Sequence, residues 1–296
     1  MSVDLRAAVG FMAGHARTLD RHRLKLILGQ GGDRTAALAA VDSYRNPDGG
    51  YGWGGLEPDL RSASSQPGGA LHAFEAFADI GTPTPEPSNC ATGCRPIRWQ
   101  TAVCRSPSRS PTRPVVRPSG WMRIRWRRRC RSPASCVLQR LALPNSTRPS
   151  PNIRGSPLPF DIASTRSTGA DSLHALELAF ALQFLDAVHR NSPEASSLVS
   201  TLGSRIPADG LVHVDGGEPR ANSCGPLDFS PLPGGPTRAL FDASVIESEL
   251  SALAARQHGD GGWAVDFDSY SPVAALEWRG HATVQAVWLM KRNGVI

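Results

Sequence analysis

Lysine is nearly absent: Lys25 and Lys291 stand against thirty arginines. That bias points to a GC-rich coding sequence. Cysteine is missing from most of the chain, since only Cys224 lies outside residues 83–168. This excludes a disulfide framework and fits a reducing, cytoplasmic compartment. No apolar run reaches the length of a membrane span, so no integral membrane segment is expected. The opening residues, MSVDLRAAVGFMAGHARTLDRHR, lack a basic stretch followed by an apolar core, so no signal peptide is expected. No strand-like run competes with the helical periodicity described below.

Basic charge is also lacking from most of the chain. The formal net charge is +6 and the pI about 9.3, values that by themselves suggest a nucleic-acid partner. Residues 83–168, however, hold sixteen Arg and only two acidic residues, Glu86 and Asp161. Elsewhere acidic residues outnumber basic ones by 24 to 16. The basic character belongs to that segment, and no nucleic-acid partner is expected. Cys90 and Cys94 have no matched second pair and no His within the segment, so no metal or other cofactor is expected.

The same stretch carries fourteen Pro and twelve Ser without a helical apolar period. Such a composition cannot repay its ordering entropy. The chain therefore divides into 1–82, an unstructured 83–169, and 170–296. Two accounts fit the middle piece: an Arg/Pro/Ser-rich linker, or a reading-frame slip, which in GC-rich DNA yields Arg, Pro, Ser and Cys. Read one base out, residues 99–122 permit an Asp-Gly-Gly at 101–103.

That position matters because Asp-Gly turns recur at Asp48, Asp209 and Asp260. With the hidden turn included, the spacing is near 51–54 residues with one member missing around 155, a period that points to stacked helix pairs. Glycine accepts the positive φ that closes each helix, and the aromatics that follow, Tyr51, Trp53 and Trp263, are expected to bury their rings against the next hairpin. Helices are expected over Asp4–Leu28 with a break near His22, from Asp33, from Pro67 to a stop at Gly81, and over Asp171–His189. Two more are expected, from Thr237 to Ala254 and from Ser271-Pro272 to Gly294, the last turning Leu276, Val284 and Trp288 inward. The class is all-α.

Gln257-x3-Gly261-x-Trp263 is similar to the Gln-x3-Gly-x-Trp element repeated in squalene–hopene cyclases. With NPDGGYGWGG (46–55, including Gly49, Gly50, Tyr51 and Trp53), the chain resembles the superfamily of terpenoid cyclases and protein prenyltransferases over roughly 1–81 and 170–296. The resemblance implies an (α/α) toroid of helix hairpins around a central cavity, incomplete here because of residues 83–169. It also implies that Gln257 and Trp263 tie neighbouring repeats together. In the cyclases an Asp-x-Asp-Asp motif protonates the substrate; here the sequence reads Asp266-Phe267-Asp268-Ser269, with serine in the last place.

Two polar clusters follow the Gly turns: Glu57, Asp59, Gln66 and His72 after the first, and Asp266, Asp268, Tyr270, Glu277 and His281 after the last. Glu57, Asp59, Asp266, Asp268, Glu277 and His281 are the candidate catalytic residues. Glu277 and His281 stand i, i+4 on one helix face, which suits a shared ligand or an acid/base pair; an ordinary helix-surface pair has the same spacing. Glu57 and Asp59 suit turn and capping duty equally well. The functions to weigh are an isoprenoid-handling enzyme acting on an apolar small molecule, a binding toroid without catalysis, and a frame-shifted product without function.

Overall fold

The computed structural model describes residues 3–47, 49–52, 56–59, 65, 67–81, 174–214 and 223–296. The expectations for residues 83–169, and those resting on Asp48, Trp53 and Gln66, lie outside the described residues. What is described is predominantly helical, in keeping with the all-α class.

Helix α1 (Leu5–His15) begins where the Asp4 carboxylate accepts a hydrogen bond from the Ala7 amide at 2.8 Å, satisfying one of the free donors of a helix start. The break expected near His22 falls instead at Ala16–Arg17, both of which are extended. Side chains fix it there. Arg21 donates to the freed Ala16 carbonyl at 2.8 Å, and Arg17 reaches Asp20 at 2.7 Å and the Leu56 carbonyl at 2.9 Å. Helix α2 (Thr18–Leu28) then closes on Gly29 with φ +71°. Asp33 caps α3 (Arg34–Asp42) through the Thr35 amide, and α4 (Pro67–Ile80) ends at Gly81, both as the sequence indicates.

In the second half, α5 (Ala175–Val188) and α6 (Glu194–Gly203) form a hairpin, followed by a two-stranded antiparallel ribbon of β1 (Val212–His213) and β2 (Ser223–Cys224). The short α7 (Pro226–Phe229) leads to α8 (Ala243–Ala255) and the long α9 (Pro272–Arg292). The helix expected to run on from Thr237 is divided. Pro236–Leu240 is a 3-10 turn, Phe241 is extended, and α8 starts only after Asp242. Thr237 is spent elsewhere: its amide donates to Asp186 at 2.8 Å and its hydroxyl to the Leu182 carbonyl at 3.3 Å, both on α5. Ser271 caps α9 as expected, and Val284 is fully buried. Leu276, however, is exposed on the same side as Val273.

Helix α9 lies against α1, α2 and α8, while α2 also packs on α3 and α4. The two ends of the chain therefore share a core, in which Phe11, Met12 and Leu24 meet Trp263, Val284 and Met290. A second core joins α5 and α6 around Leu182, Leu185 and Phe229.

The glycine turns are built alike. At Asn46–Gly50 the Asn46 amide donates to the Gly50 carbonyl and the Gly49 amide to the Asn46 carbonyl; at His258–Gly262 the same two bonds recur, His258 to Gly262 and Gly261 to His258. Asp209 and Asp260 each accept from the amide two residues on, Leu211 and Gly262. Gly49, Gly210 and Gly261 all have left-handed φ, of +84°, +74° and +92°. Among the described residues, the turns at Asn46–Gly50 and His258–Gly262 thus share a local geometry.

Candidate functional site

The last glycine turn is clasped to the start of the chain. Gln257 accepts from the Asp4 amide at 2.9 Å and donates back to the Asp4 carbonyl at 2.8 Å and to the Gly261 carbonyl at 3.0 Å. Gly261 sits so close to α1 that a Cβ there would overlap the Ala7 carbonyl. Trp263 is buried; its indole donates to the Leu253 carbonyl at 2.8 Å, and the Thr283 hydroxyl accepts from its amide at 3.0 Å. Tyr51, after the first turn, is equally buried and meets Phe77 edge-on.

The carboxylates singled out in the sequence receive different partners. Asp59 joins the loop before α4 to the start of α9: it accepts from the Ser269 hydroxyl at 2.7 Å, the Tyr270 amide at 3.0 Å and the Trp278 indole at 2.8 Å. Glu57 lies directly on Gly68 in the first turn of α4, where a Cβ would collide with its carboxylate, a favourable place for negative charge. Asp266 is exposed and pairs with Arg256 at 3.5 Å. Asp268 is exposed beside an open groove of about 420 Å³ that Phe267, Tyr270, Pro272 and Arg279 also line. The carboxylate facing His281 is Glu75 of α4, 3.8 Å away. Glu277, half-buried, stands one turn earlier on α9.

Beneath the groove lies a buried polar cluster where α2, α4 and α9 meet. Phe267 packs edge-on to Trp278, and Trp278 in turn meets the rings of His72 and His281 at 5.6 and 5.7 Å. His72 and Glu75, three residues apart on α4, are joined at 2.8 Å between Nδ1 and Oε2. Arg23 donates to Asp79 at 2.7 Å, and its other nitrogen lies 3.4 Å from both Asp20 and His281 Nδ1. Arg17 closes the chain of contacts on Asp20 at 2.7 Å. Burial works against the charge on Asp20, but Arg17 and then Arg23 outweigh it and hold its carboxyl below the usual range. Burial likewise opposes ionisation of Glu75, yet His72 and His281 pull that carboxyl well down. For His281 burial wins over the attraction of Glu75 and drives the imidazole down to about 3.

His72 and His281 were within reach of sequence reasoning; Glu75, Asp20, Arg23 and Asp79 were not singled out. The available signal was charge placed on apolar helix faces: Asp20 and Arg23 alternate with the buried Leu19 and Leu24, and Glu75 with Phe74 and Phe77.

These shifts carry a pH dependence. A neutral buried His281 contributes stability that is complete above its ordinary value of 6.5 and is lost as pH falls toward about 3. Asp20 and Glu75 lose their contribution further down, as each protonates at its depressed folded value. Denaturation midpoints should therefore fall steadily from pH 6.5 to pH 3, by an amount on the order of several kcal/mol. His281→Gln should flatten that slope. An unchanged slope in the variant assigns the effect to other groups.

Compared with known proteins, the chain matches no family model, no curated protein and no solved structure. Among the described residues, no helix is long and apolar enough to cross a membrane.

Proposed function

We propose that the chain is a helical-repeat protein of the terpenoid cyclase and prenyltransferase toroid type, and that it binds an apolar, isoprenoid-like molecule along the Phe267–Tyr270 groove. The observation that carries this reading is the Gln257–Gly261–Trp263 clasp. Gln257 bonds to Asp4 and Trp263 to Leu253, contacts that support the tying role the resemblance implies for these two residues, and the Asn46–Gly50 turn repeats the backbone pattern of His258–Gly262. The exposed Phe267 and Tyr270 line the groove, and Val273 and Leu276 are exposed on the neighbouring first turns of α9; clustered exposed apolar surface marks a binding site.

Binding without catalysis fits this geometry better than proton-driven cyclisation. Asp266 is solvent-exposed and engaged with Arg256, and Ser269, in the place of the last aspartate, donates its hydroxyl to Asp59. In a catalytic reading the proton donor falls to Asp268, the carboxylate lining the groove.

A polyene such as squalene and an isoprenoid diphosphate, titrated in parallel into the full chain, separate these readings. The polyene is expected to raise the melting temperature and perturb tryptophan emission through the Phe267–Trp278 contact. Tyr270→Ala and Phe267→Ala should each weaken binding about tenfold, from the loss of ~1.5 kcal/mol of apolar burial. Absence of any shift with either ligand refutes binding at the groove. Conversion of the polyene that Asp268→Asn abolishes establishes catalysis instead.

A further inference from the structure

We propose that His72, Glu75 and His281 form a binding site for one divalent transition-metal ion, with zinc or cobalt as the fitting class. The three residues offer ligand atoms that all lie within 4.8 Å of one another. Two come from one face of α4 at i, i+3 spacing and the third from α9, so packing of those helices on α2 sets their separation. Two imidazoles and one carboxylate are a donor set suited to zinc, cobalt or iron and leave coordination positions free. Ligand atoms around a tetrahedral ion with bonds of ~2.0–2.2 Å stand ~3.4 Å apart, so closing the widest gap takes side-chain movements of about 1 Å.

One further observation supports a cation here. His72 Nε2 is buried with no hydrogen-bond partner among the described residues, a costly state for a polar atom. Arg23 stands 3.4 Å from His281 Nδ1. An ion on Nε2 places the ring proton on Nδ1, so Arg23 must withdraw toward Asp79 and Asp20, which it already contacts. Competition with Arg23 makes the affinity moderate.

The test uses cobalt(II) alone with the full chain, in a background where Cys90, Cys94, Cys104, Cys130, Cys136 and Cys224 are all changed to serine. Equilibrium dialysis is expected to give one cobalt per chain, with visible d–d absorption of nitrogen and oxygen ligands. His281→Gln and Glu75→Gln should each weaken binding by about 100-fold or more, beyond the 10–100-fold typical of losing a supporting partner. Circular dichroism identifies any variant that does not fold, and the d–d absorption of cobalt on the parent protein then decides in its place. No bound cobalt, bound cobalt without the d–d absorption of nitrogen and oxygen ligands, or cobalt retained at full affinity in a folded His281→Gln chain overturns the proposal.

Discussion

Gly261→Ala is expected to be strongly destabilising. At φ +92° an L side chain is strained by ~1–2 kcal/mol. The new Cβ also overlaps the Ala7 carbonyl, and relieving such overpacking costs a further ~1–3 kcal/mol. The sum, about 2–5 kcal/mol, compares with a typical total stability of ~5–15 kcal/mol. Gly259, two residues earlier, meets nothing within 4 Å, so Gly259→Ala should leave stability within about 0.5 kcal/mol. Gln257→Ala falls between the two: it removes the bonds to Asp4 and Gly261 at a partly exposed site, about 1–3 kcal/mol in all. Urea midpoints for the three variants check this order. Equal effects of the two glycine substitutions contradict the close approach of the turn to α1.

Arg23→Met is expected to destabilise by about 3–5 kcal/mol, the cost of stranding a buried charge rather than the worth of an ion pair. Arg23 and Asp20 are almost wholly inaccessible, and Asp79 nearly so. Without the guanidinium, Asp79 loses its 2.7 Å partner while Asp20 keeps Arg17. Asp79→Asn in the Arg23→Met background should therefore recover part of the loss, whereas Asp20→Asn should not. Denaturant unfolding at pH 7 measures both. A loss below about 1 kcal/mol puts these pairs in the class of exposed ion pairs.

The parts of the fold written in local signals were legible in the sequence. Asp33, Pro67, Gly81 and Ser271 act on neighbouring backbone, and each starts or stops a helix where its chemistry says. The Asp-Gly turns belong to the same class. The errors at Ala16–Arg17 and at Thr237 share another cause, since distant partners set both: Leu56 and Asp20 hold Arg17, and Asp186 on α5 takes the Thr237 amide. The candidate site follows the same division. His281 stood out as a helix-face pair with Glu277, but the carboxylate facing it arrives from α4, more than two hundred residues earlier in the chain. Asp59, a candidate for either catalysis or turn and capping duty in the sequence, is an acceptor for Ser269, Tyr270 and Trp278 at the start of α9. Neither relation leaves a trace in spacing along the chain.

The amino-terminal helices α1–α4 and the carboxy-terminal α8–α9 are expected to fold as one cooperative unit, joined by the Gln257–Gly261 clasp and the buried cluster. Native-state hydrogen exchange, read by mass spectrometry on peptides from α2 and α9 of the full chain and its Gly261→Ala variant, tests this most directly. One unit requires that the amides of both helices exchange through a common opening and that the substitution accelerates both by the same factor. Acceleration confined to α9, with α2 unchanged, contradicts it.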